Sequence, residues 1–238
     1  MEESSHCKRE VVGSTPAGGT RGWQNGYALG FQPNHKVSIT LPRSNYIRNG
    51  MQMAGTFFIG DLHLGHEGMI RFVDKDGKKI RPFGSIQEHD EALIANINSL
   101  VKPEDRLYFL GDVVINRKHL PQIDRINGRK KLLYGNHDIF SYKDYAPYFD
   151  DMCAYRIYPK MSLIMSHIPV HPCQLEHRFK FNVHGHLHSN LVLGGKHPMT
   201  PDERYINICP EHTGMMPVSM DDIIERIGYD KHAIQYGR

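Results

Sequence analysis

Five short fragments of the chain carry carboxylate, imidazole and amide side chains of the kinds that bind divalent metals. They are Asp61-Leu62-His63, Gly111-Asp112, Gly135-Asn136-His137-Asp138, Ser166-His167 and Gly185-His186-Leu187-His188. No cysteine is among them, which suits Mn, Fe, Zn or Ni better than a thiolate-built structural zinc site. Two such metals about 3.5 to 4 Å apart can share a hydroxide and clamp both oxygens of an in-line displacement at phosphorus. These fragments therefore indicate hydrolysis of a phosphate ester.

The fragments follow short apolar runs that predict strands buried on both faces of a sheet. The first four runs span residues 56–60, 106–110, 130–134 and 163–165. In an open α/β sheet, ligands bind outside the carboxyl ends of the strands. We therefore expect the polar fragments to meet at one rim of the fold.

The spacing within two fragments also favours convergence. Asp61 and His63 are two residues apart, as are His186 and His188, and in extended backbone each pair projects from one face. The leucines beside them, Leu62, Leu64 and Leu187, would then point into the core.

Each fragment alone also has a structural explanation. Asp61 and Asp112 could be turn residues after a strand, and Asn136 after a glycine is ordinary turn chemistry. His167 fits a satisfied loop histidine equally well. The pair in Gly185-His186-Leu187-His188 favours a functional role, because the glycine permits close backbone approach and the two imidazoles project together.

Taken together, the five fragments resemble the signature of the calcineurin-like metallophosphoesterase superfamily, written D-x-H, G-D, G-N-H-[DE], H and G-H-x-H. All five occur in the family's order between Asp61 and His188. The resemblance is specific for the superfamily and says little about the substrate.

The resemblance implies two ligand sets and a catalytic acid. The first set, Asp61, His63 and His188, would hold one metal, the second set, Asn136, His167 and His186, would hold the other, and Asp112 would bridge them. His137 would face the phosphate and protonate the leaving oxygen as general acid, after in-line attack by a metal-bridging hydroxide. Of the candidate metals, Mn is favoured.

Four further residues are candidates for contact with substrate or support of the ligands. His66 extends the first fragment, and His184 lies two residues before His186 on the same strand face. Arg178 lies between the fourth and fifth fragments, where a loop could cover the site. Asp138 would either orient His137 or cap a short helix over 141–149, and we favour the cap. Arg81, before Pro82, is interpreted as part of a turn rather than of the rim.

Helical patterns alternate with the strands. Ser85 and Glu88 form a capping box ahead of a helix to residue 100, and a second helix over 118–127 closes at Gly128. Further strands are predicted over 152–158, 161–165, 180–183 and 205–208, with a capped helix over 219–227. The pattern predicts an α/β fold of two packed mixed sheets flanked by helices, the four-layer α/β/β/α sandwich that the resemblance also implies.

The first 54 residues differ in texture from the rest, being rich in Gly, Ser, Pro and Asn with little periodicity. We interpret 1–54 as a largely disordered extension, with an edge strand over 37–41 as an option, and 55–238 as the metallophosphoesterase domain.

Neither a signal peptide nor a membrane span is evident, so a cytoplasmic location is expected. The four cysteines lack metal or redox spacing and are interpreted as reduced thiols.

The net charge and the motif residues of the chain bear on its substrate. A net charge of +3 does not by itself argue for nucleic acid. A small phosphodiester or nucleotide is the favoured substrate, with a phosphomonoester ranked lower. A nuclease of the same superfamily and a non-catalytic scaffold that retains the fold remain as alternatives. Asp112 is followed by Val113-Val114-Ile115-Asn116-Arg117 rather than the x-x-Asp-Arg-Gly of protein phosphatases, which argues against phosphoprotein substrates. The oligomeric state is left open.

Overall fold

The computed structural model describes residues 47–48, 51–52, 54–74 and 76–230. Its strands are β1 (Ile47–Arg48), β2 (Met51–Gln52), β3 (Thr56–Ile59), β4 (Arg106–Phe109), β5 (Arg129–Leu133), β6 (Asp151–Cys153), β7 (Tyr155–Tyr158), β8 (Leu163–Ser166), β9 (Phe181–His184), β10 (Tyr205–Asn207) and β11 (Val218–Ser219). The α-helices are α1 (Ile86–Leu100), α2 (Tyr142–Tyr145), α3 (Pro210–Thr213) and α4 (Met220–Arg226). Short 3-10 helices span Glu67–Ile70, Arg117–Arg125, Pro159–Met161 and Pro172–Leu175.

The strands form two large mixed sheets. The first has the order β11-β3-β4-β5-β6, with β3 to β6 parallel and β11 antiparallel to β3. The second has the order β10-β9-β8-β7, with only β7 antiparallel to its neighbour. A separate antiparallel pair joins β1 to β2. The prediction of two mixed sheets flanked by helices is confirmed.

The core lies between the sheets and on their outer faces. Phe58 and Tyr108 of the first sheet pack against Met165 and Val183 of the second. On the other face of the first sheet, Phe57 and Phe109 pack with α1 through Leu93 and Ile97. Ile164 and Tyr205 on the outer face of the second sheet pack with Leu175 of the 3-10 helix Pro172–Leu175. Burial on both faces explains why the central strands β3 and β8 are almost continuous apolar runs in the sequence.

Several predicted elements have different limits in the structure. The strand predicted over 152–158 is two strands, because the chain leaves the first sheet after Cys153 and enters the second at Tyr155. The helix predicted over 118–127 is a 3-10 helix, with Pro121 inside it unable to donate a backbone hydrogen bond. The helix predicted over 141–149 spans only Tyr142–Tyr145.

Two further predictions concern the N-terminal extension and membrane-spanning helices. The strand predicted over 37–41 and nearly all of the extension 1–54 lie outside the described residues. No helix in the described ranges is long and apolar enough to cross a membrane.

Candidate metal centre

The candidate ligands lie in the loops that follow five strands. Asp61 and His63 follow β3, Asp112 follows β4, Asn136 follows β5, His167 follows β8, and His186 and His188 follow β9. The first three loops belong to the first sheet and the last two to the second, so both sheets contribute ligands to the cluster. Within it, the ligand atoms of Asp61, His63 and His188 lie within 4.8 Å of one another, as do those of Asp61, Asp112 and His167. Both groups could hold a metal ion.

Asp112 lies between the two ligand sets. Its Oδ2 is 3.7 Å from His63 Nε2 in the first set and 3.4 Å from His167 Nε2 in the second. Within the second set, His167 Nε2 is 2.9 Å from Asn136 Oδ1, and the rings of His167 and His186 are 5.0 Å apart.

Within the first set, Asp61 Oδ1 lies 3.9 Å from His63 Nε2 and 4.0 Å from His188 Nε2. The rings of His63 and His188 are stacked, with their centroids 5.2 Å apart. All three members of this set therefore face one point.

The backbone that presents the ligands is left-handed, so the expectation of extended Asp61-x-His63 and His186-x-His188 pairs is wrong. Asp61, His63, Asp112, His186 and His188 have φ from 48° to 68° and make up five of the seven non-glycine residues with positive φ in the described ranges. Aspartate and histidine tolerate this region better than most residues, and such conformations cluster at functional sites. Leu62 and Leu64 are still buried, as predicted, whereas Leu187 is only half-buried.

His63 has the character of a metal ligand. Its side chain is buried, and neither Nδ1 nor Nε2 has a hydrogen-bond partner among the described residues. Buried polar atoms are otherwise almost always paired. Burial, together with the charge of Arg81, holds the pKa of this imidazole well below its usual value, so the ring is neutral. A neutral, unpaired imidazole between two carboxylates fits a divalent cation.

The pKa values of the two buried carboxylates are shifted in opposite directions. Burial acts to raise the pKa of Asp112, but the hydrogen bond and charge of His167 outweigh it and lower the pKa to about 2. Against the opposing effect of burial, Asp112 and Asp61 raise the pKa of His167 to about 9. Burial raises the pKa of Asp61, whose carboxylate accepts hydrogen bonds from His186 N at 2.9 Å and Cys209 Sγ at 3.2 Å. In the metal-free site a proton on His167 therefore balances the charge of Asp112, and a bound metal ion would displace that proton.

Two motif glycines make room for these carboxylates. A Cβ built on Gly135 would overlap Asp112 Oδ1, and one built on Gly185 would overlap Asp61 Oδ2, each at well under 3.0 Å. Neither glycine has a positive φ in the structure. Close approach to a ligand, rather than backbone freedom, is therefore the reason for glycine at both positions.

Asp138 links two loops of the first sheet. Its carboxylate accepts backbone hydrogen bonds from Gly135 at 2.8 Å, Asp112 at 2.8 Å and Val113 at 3.2 Å. The prediction that Asp138 caps the next helix is wrong, because α2 begins with its own capping box of Ser141 and Asp144.

His137 lies at the open side of the cluster. Its backbone N–H donates to Asp112 Oδ1 at 2.9 Å, and its ring centroid is 5.8 Å from that of His63. The residue is exposed, so the imidazole stays accessible while its backbone is fixed to the cluster.

The structure brings only one of the other three candidates beside the cluster. The ring of half-buried His66 lies 6.0 Å from that of His63. His184 is buried behind the site in β9, where Nδ1 donates to the Gly185 carbonyl at 2.8 Å and burial lowers its pKa to about 4. Arg178 is exposed and lies over the ring of Phe179, at 5.6 Å from the centroid.

Three residues that contact the ligands were not predicted to do so. Arg81 is buried rather than in a simple turn, and it donates to the carbonyl oxygens of Asp61 and Leu62. Glu211 accepts from His188 Nδ1 at 3.1 Å; burial acts to raise its pKa, but Arg81 and His188 hold it well below the usual range. Cys209 contacts Asp61 as described above. Because Glu211 is 23 residues from His188, no local spacing reveals the pairing.

Comparison with known proteins gives relatives at moderate similarity. No family model matches the chain. The curated "Uncharacterized protein MJ1445" of Methanocaldococcus jannaschii is 27% identical over 187 residues, which cover 74% of this chain and 93% of the relative. A solved structure of AQ665 from Aquifex aeolicus, described as a protein of unknown function, aligns with a TM-score of 0.55 and 25% identity over 73% of this chain and 99% of that chain.

Two further structures align over part of the fold. They are a novel archaeal phosphodiesterase, with a TM-score of 0.36, 15% identity and coverage of 65% of this chain and 82% of that one, and Pseudomonas putida nuclease MPE, with a TM-score of 0.36, 20% identity and coverage of 59% and 64%. The fold and the site together define an α/β protein of two packed mixed sheets with a candidate metal centre at the strand ends.

Proposed function

We propose that the protein is a phosphoesterase that depends on two divalent metal ions and hydrolyses a small phosphodiester or a nucleotide. The arrangement around Asp112 carries the proposal, because loops from both sheets direct carboxylate, imidazole and amide groups toward it. His63, with two buried and unpaired ring nitrogens among the described residues, supports a bound metal rather than a merely structural cluster.

The two ligand sets would hold one metal each. Asp61, His63 and His188 would bind the first, and Asn136, His167 and His186 the second. Asp112, whose Oδ2 lies near both His63 and His167, would contact both metals. Mn is favoured, and Fe, Zn or Ni also suit these donors. When bound, two such ions polarise the phosphoryl oxygens and supply a nucleophile at neutral pH.

His137 is proposed as the general acid. Its backbone is anchored to Asp112, whereas its ring remains exposed at the mouth of the cluster near His63. An imidazole placed there is able to donate a proton to the leaving oxygen, a contribution that is typically about 10² to 10⁴-fold in rate. Asp138 would assist by fixing the loop that carries His137 through its bonds to Gly135 and Asp112.

The test is hydrolysis of bis-(p-nitrophenyl) phosphate and p-nitrophenyl phosphate by protein that is stripped with chelator and reloaded with Mn. We expect turnover that requires metal, prefers the diester and is lost in Asp112→Asn. His137→Ala should lose about 10² to 10⁴-fold in turnover while retaining its metal. Retained activity in both variants would contradict the proposal.

Two other experimental outcomes would favour a different function for the protein. Cleavage in a labelled panel of single- and double-stranded nucleic acids, with little activity on small esters, would favour the nuclease alternative. Protein that binds neither Mn nor any phosphoester would favour a scaffold.

A further inference from the structure

A buried ion pair lies directly behind the first ligand set. The side chain of Arg81 is 0% exposed and that of Glu211 is 5% exposed, and Arg81 Nε donates to Glu211 Oε1 at 2.9 Å. Burying two charges costs more than their attraction returns unless further hydrogen bonds satisfy them. Here Glu211 makes its further hydrogen bond with the candidate ligand His188, and Arg81 makes its own with the loop that carries Asp61 and His63.

Glu211 determines which nitrogen of His188 faces the cluster. Its Oε1 lies 3.1 Å from His188 Nδ1, and an ionised carboxylate only accepts, so Nδ1 must carry the proton. Nε2 is then left bare, 4.0 Å from Asp61 Oδ1 and within the first ligand set. A carboxylate that fixes a histidine in this way also makes it a more basic ligand.

Arg81 holds the loop that carries Asp61 and His63. Its Nη2 donates to the Asp61 carbonyl at 2.5 Å, and Nη1 donates to the Leu62 carbonyl at 2.9 Å. Both carbonyls belong to the segment in which Asp61 and His63 have positive φ. The guanidinium therefore supplies hydrogen bonds to this left-handed segment.

Helix α1 holds Arg81 from the other side. Arg81 Nη1 lies 2.9 Å from His89 Nε2, which must accept because a guanidinium only donates. His89 Nδ1 then carries the proton and donates to Asp90 Oδ1 at 2.8 Å. Asp90 Oδ2 in turn accepts from Gly65 N at 2.8 Å, in the same loop as His63. One connected chain of hydrogen bonds thus runs from α1 to His188.

We propose that Arg81 and Glu211 are positioning residues of the metal centre: Glu211 fixes His188 in the orientation and tautomer that bind the first metal, and Arg81 holds both Glu211 and the Asp61 loop. This inference rests on the proposed function and deepens it. It assigns the pair to one ligand set, since the second set has its own support, with His167 Nδ1 bonded to the Leu110 carbonyl at 2.8 Å.

The test combines Mn titration calorimetry with nitrogen NMR of the histidine side chains, using the full chain and Glu211→Gln. We expect the wild type to bind two Mn ions, and the variant to bind one of them about 10 to 100-fold more weakly. In metal-free wild type the His188 signals should show the proton on Nδ1. They should shift toward the other tautomer in Glu211→Ala, which leaves no acceptor there, whereas the amide oxygen of Glu211→Gln can still accept from Nδ1. Glu203→Gln, the same change at an exposed carboxylate, is the matched control and should alter neither result.

The inference is overturned if Glu211→Gln binds both Mn ions as the wild type does, or if His188 keeps its tautomer in Glu211→Ala. Failure of the wild type to bind Mn would instead overturn the proposed function. If Glu211→Gln does not fold, Glu211→Asp retains the charge beside Arg81 while withdrawing the carboxylate from His188. We expect a smaller loss of affinity for the same ion, and unchanged affinity would again overturn the inference.

Discussion

Replacing Gly185 with alanine tests the packing around Asp61 directly. The backbone at Gly185 is open to alanine, because its φ is not positive. The added Cβ would overlap Asp61 Oδ2 and lie 3.2 Å from the Leu110 carbonyl oxygen. The carboxylate would have to retreat by about 1 Å to reach ordinary van der Waals separation. It is fully buried and held by His186 N and Cys209 Sγ, so that retreat breaks hydrogen bonds.

The expected loss of stability has two contributions, overpacking and weakened hydrogen bonding. Overpacking a rigid interior costs about 1–3 kcal/mol, and weakening a hydrogen bond to a charged group costs about 1.5–3 kcal/mol. We therefore expect Gly185→Ala to lower the free energy of unfolding of the metal-free protein by about 2.5–6 kcal/mol. Because Asp61 is displaced, affinity for the first Mn ion should fall at least about tenfold, the lower end of the range for disturbed ligand support.

Urea unfolding in chelator, followed by circular dichroism, measures the first effect, and Mn titration calorimetry measures the second. Gly84→Ala is the control, because its Cβ would meet only Glu88 Oε2, at 3.1 Å, on an exposed and flexible side chain. That variant should unfold within about 0.5 kcal/mol of the wild type. The reasoning is refuted if Gly185→Ala matches the control in stability and binds two Mn ions with wild-type affinity.

Two further predictions concern pH and metal. His184 has its pKa lowered from 6.5 to about 4, so its contribution to stability is present above pH 6.5 and is lost as pH falls toward 4, by about 3 kcal/mol in total. In chelator, His184→Asn should show a shallower fall in unfolding free energy over that range, and equal slopes would contradict this. Adding Mn at about 100 times its Kd should stabilise the protein by about 2.7 kcal/mol and raise Tm by about 5–10 °C. An unchanged Tm would exclude tight binding to the folded state.

The positions of the ligands along the chain are predictable because buried strands leave a clear signal. Strands β3, β4 and β8 are largely apolar and buried, and a polar ligand follows each of them within three residues. In β5, only the last two residues are apolar and buried, yet they still precede the loop of Asn136. Helix α1 is equally clear, since Ser85 accepts from Glu88 N as predicted, although the Glu88 carboxylate bonds to Gly84 rather than closing the capping box.

The conformation and support of the ligands are not predictable in the same way. Aspartate and histidine occupy both extended and left-handed regions, so spacing alone does not distinguish them at Asp61 or His186. Arg81 and Glu211 act across 130 residues of sequence, and no periodicity links them. The strand predicted over 152–158 was wrong for a related reason, because the strand pattern continues through a change of sheet.

Because the cluster joins both sheets, it affects how the two sheets separate during local unfolding. Asp61 of the first sheet and His186 of the second are 125 residues apart, yet they are joined directly at the strand ends. Metal ions bound there would cross-link distant segments, as a disulfide closes a long loop. We expect hydrogen exchange at the ends of β3 and β9 to slow together when metal binds. In metal-free protein, the sheets should begin to separate at this rim before their shared core is exposed.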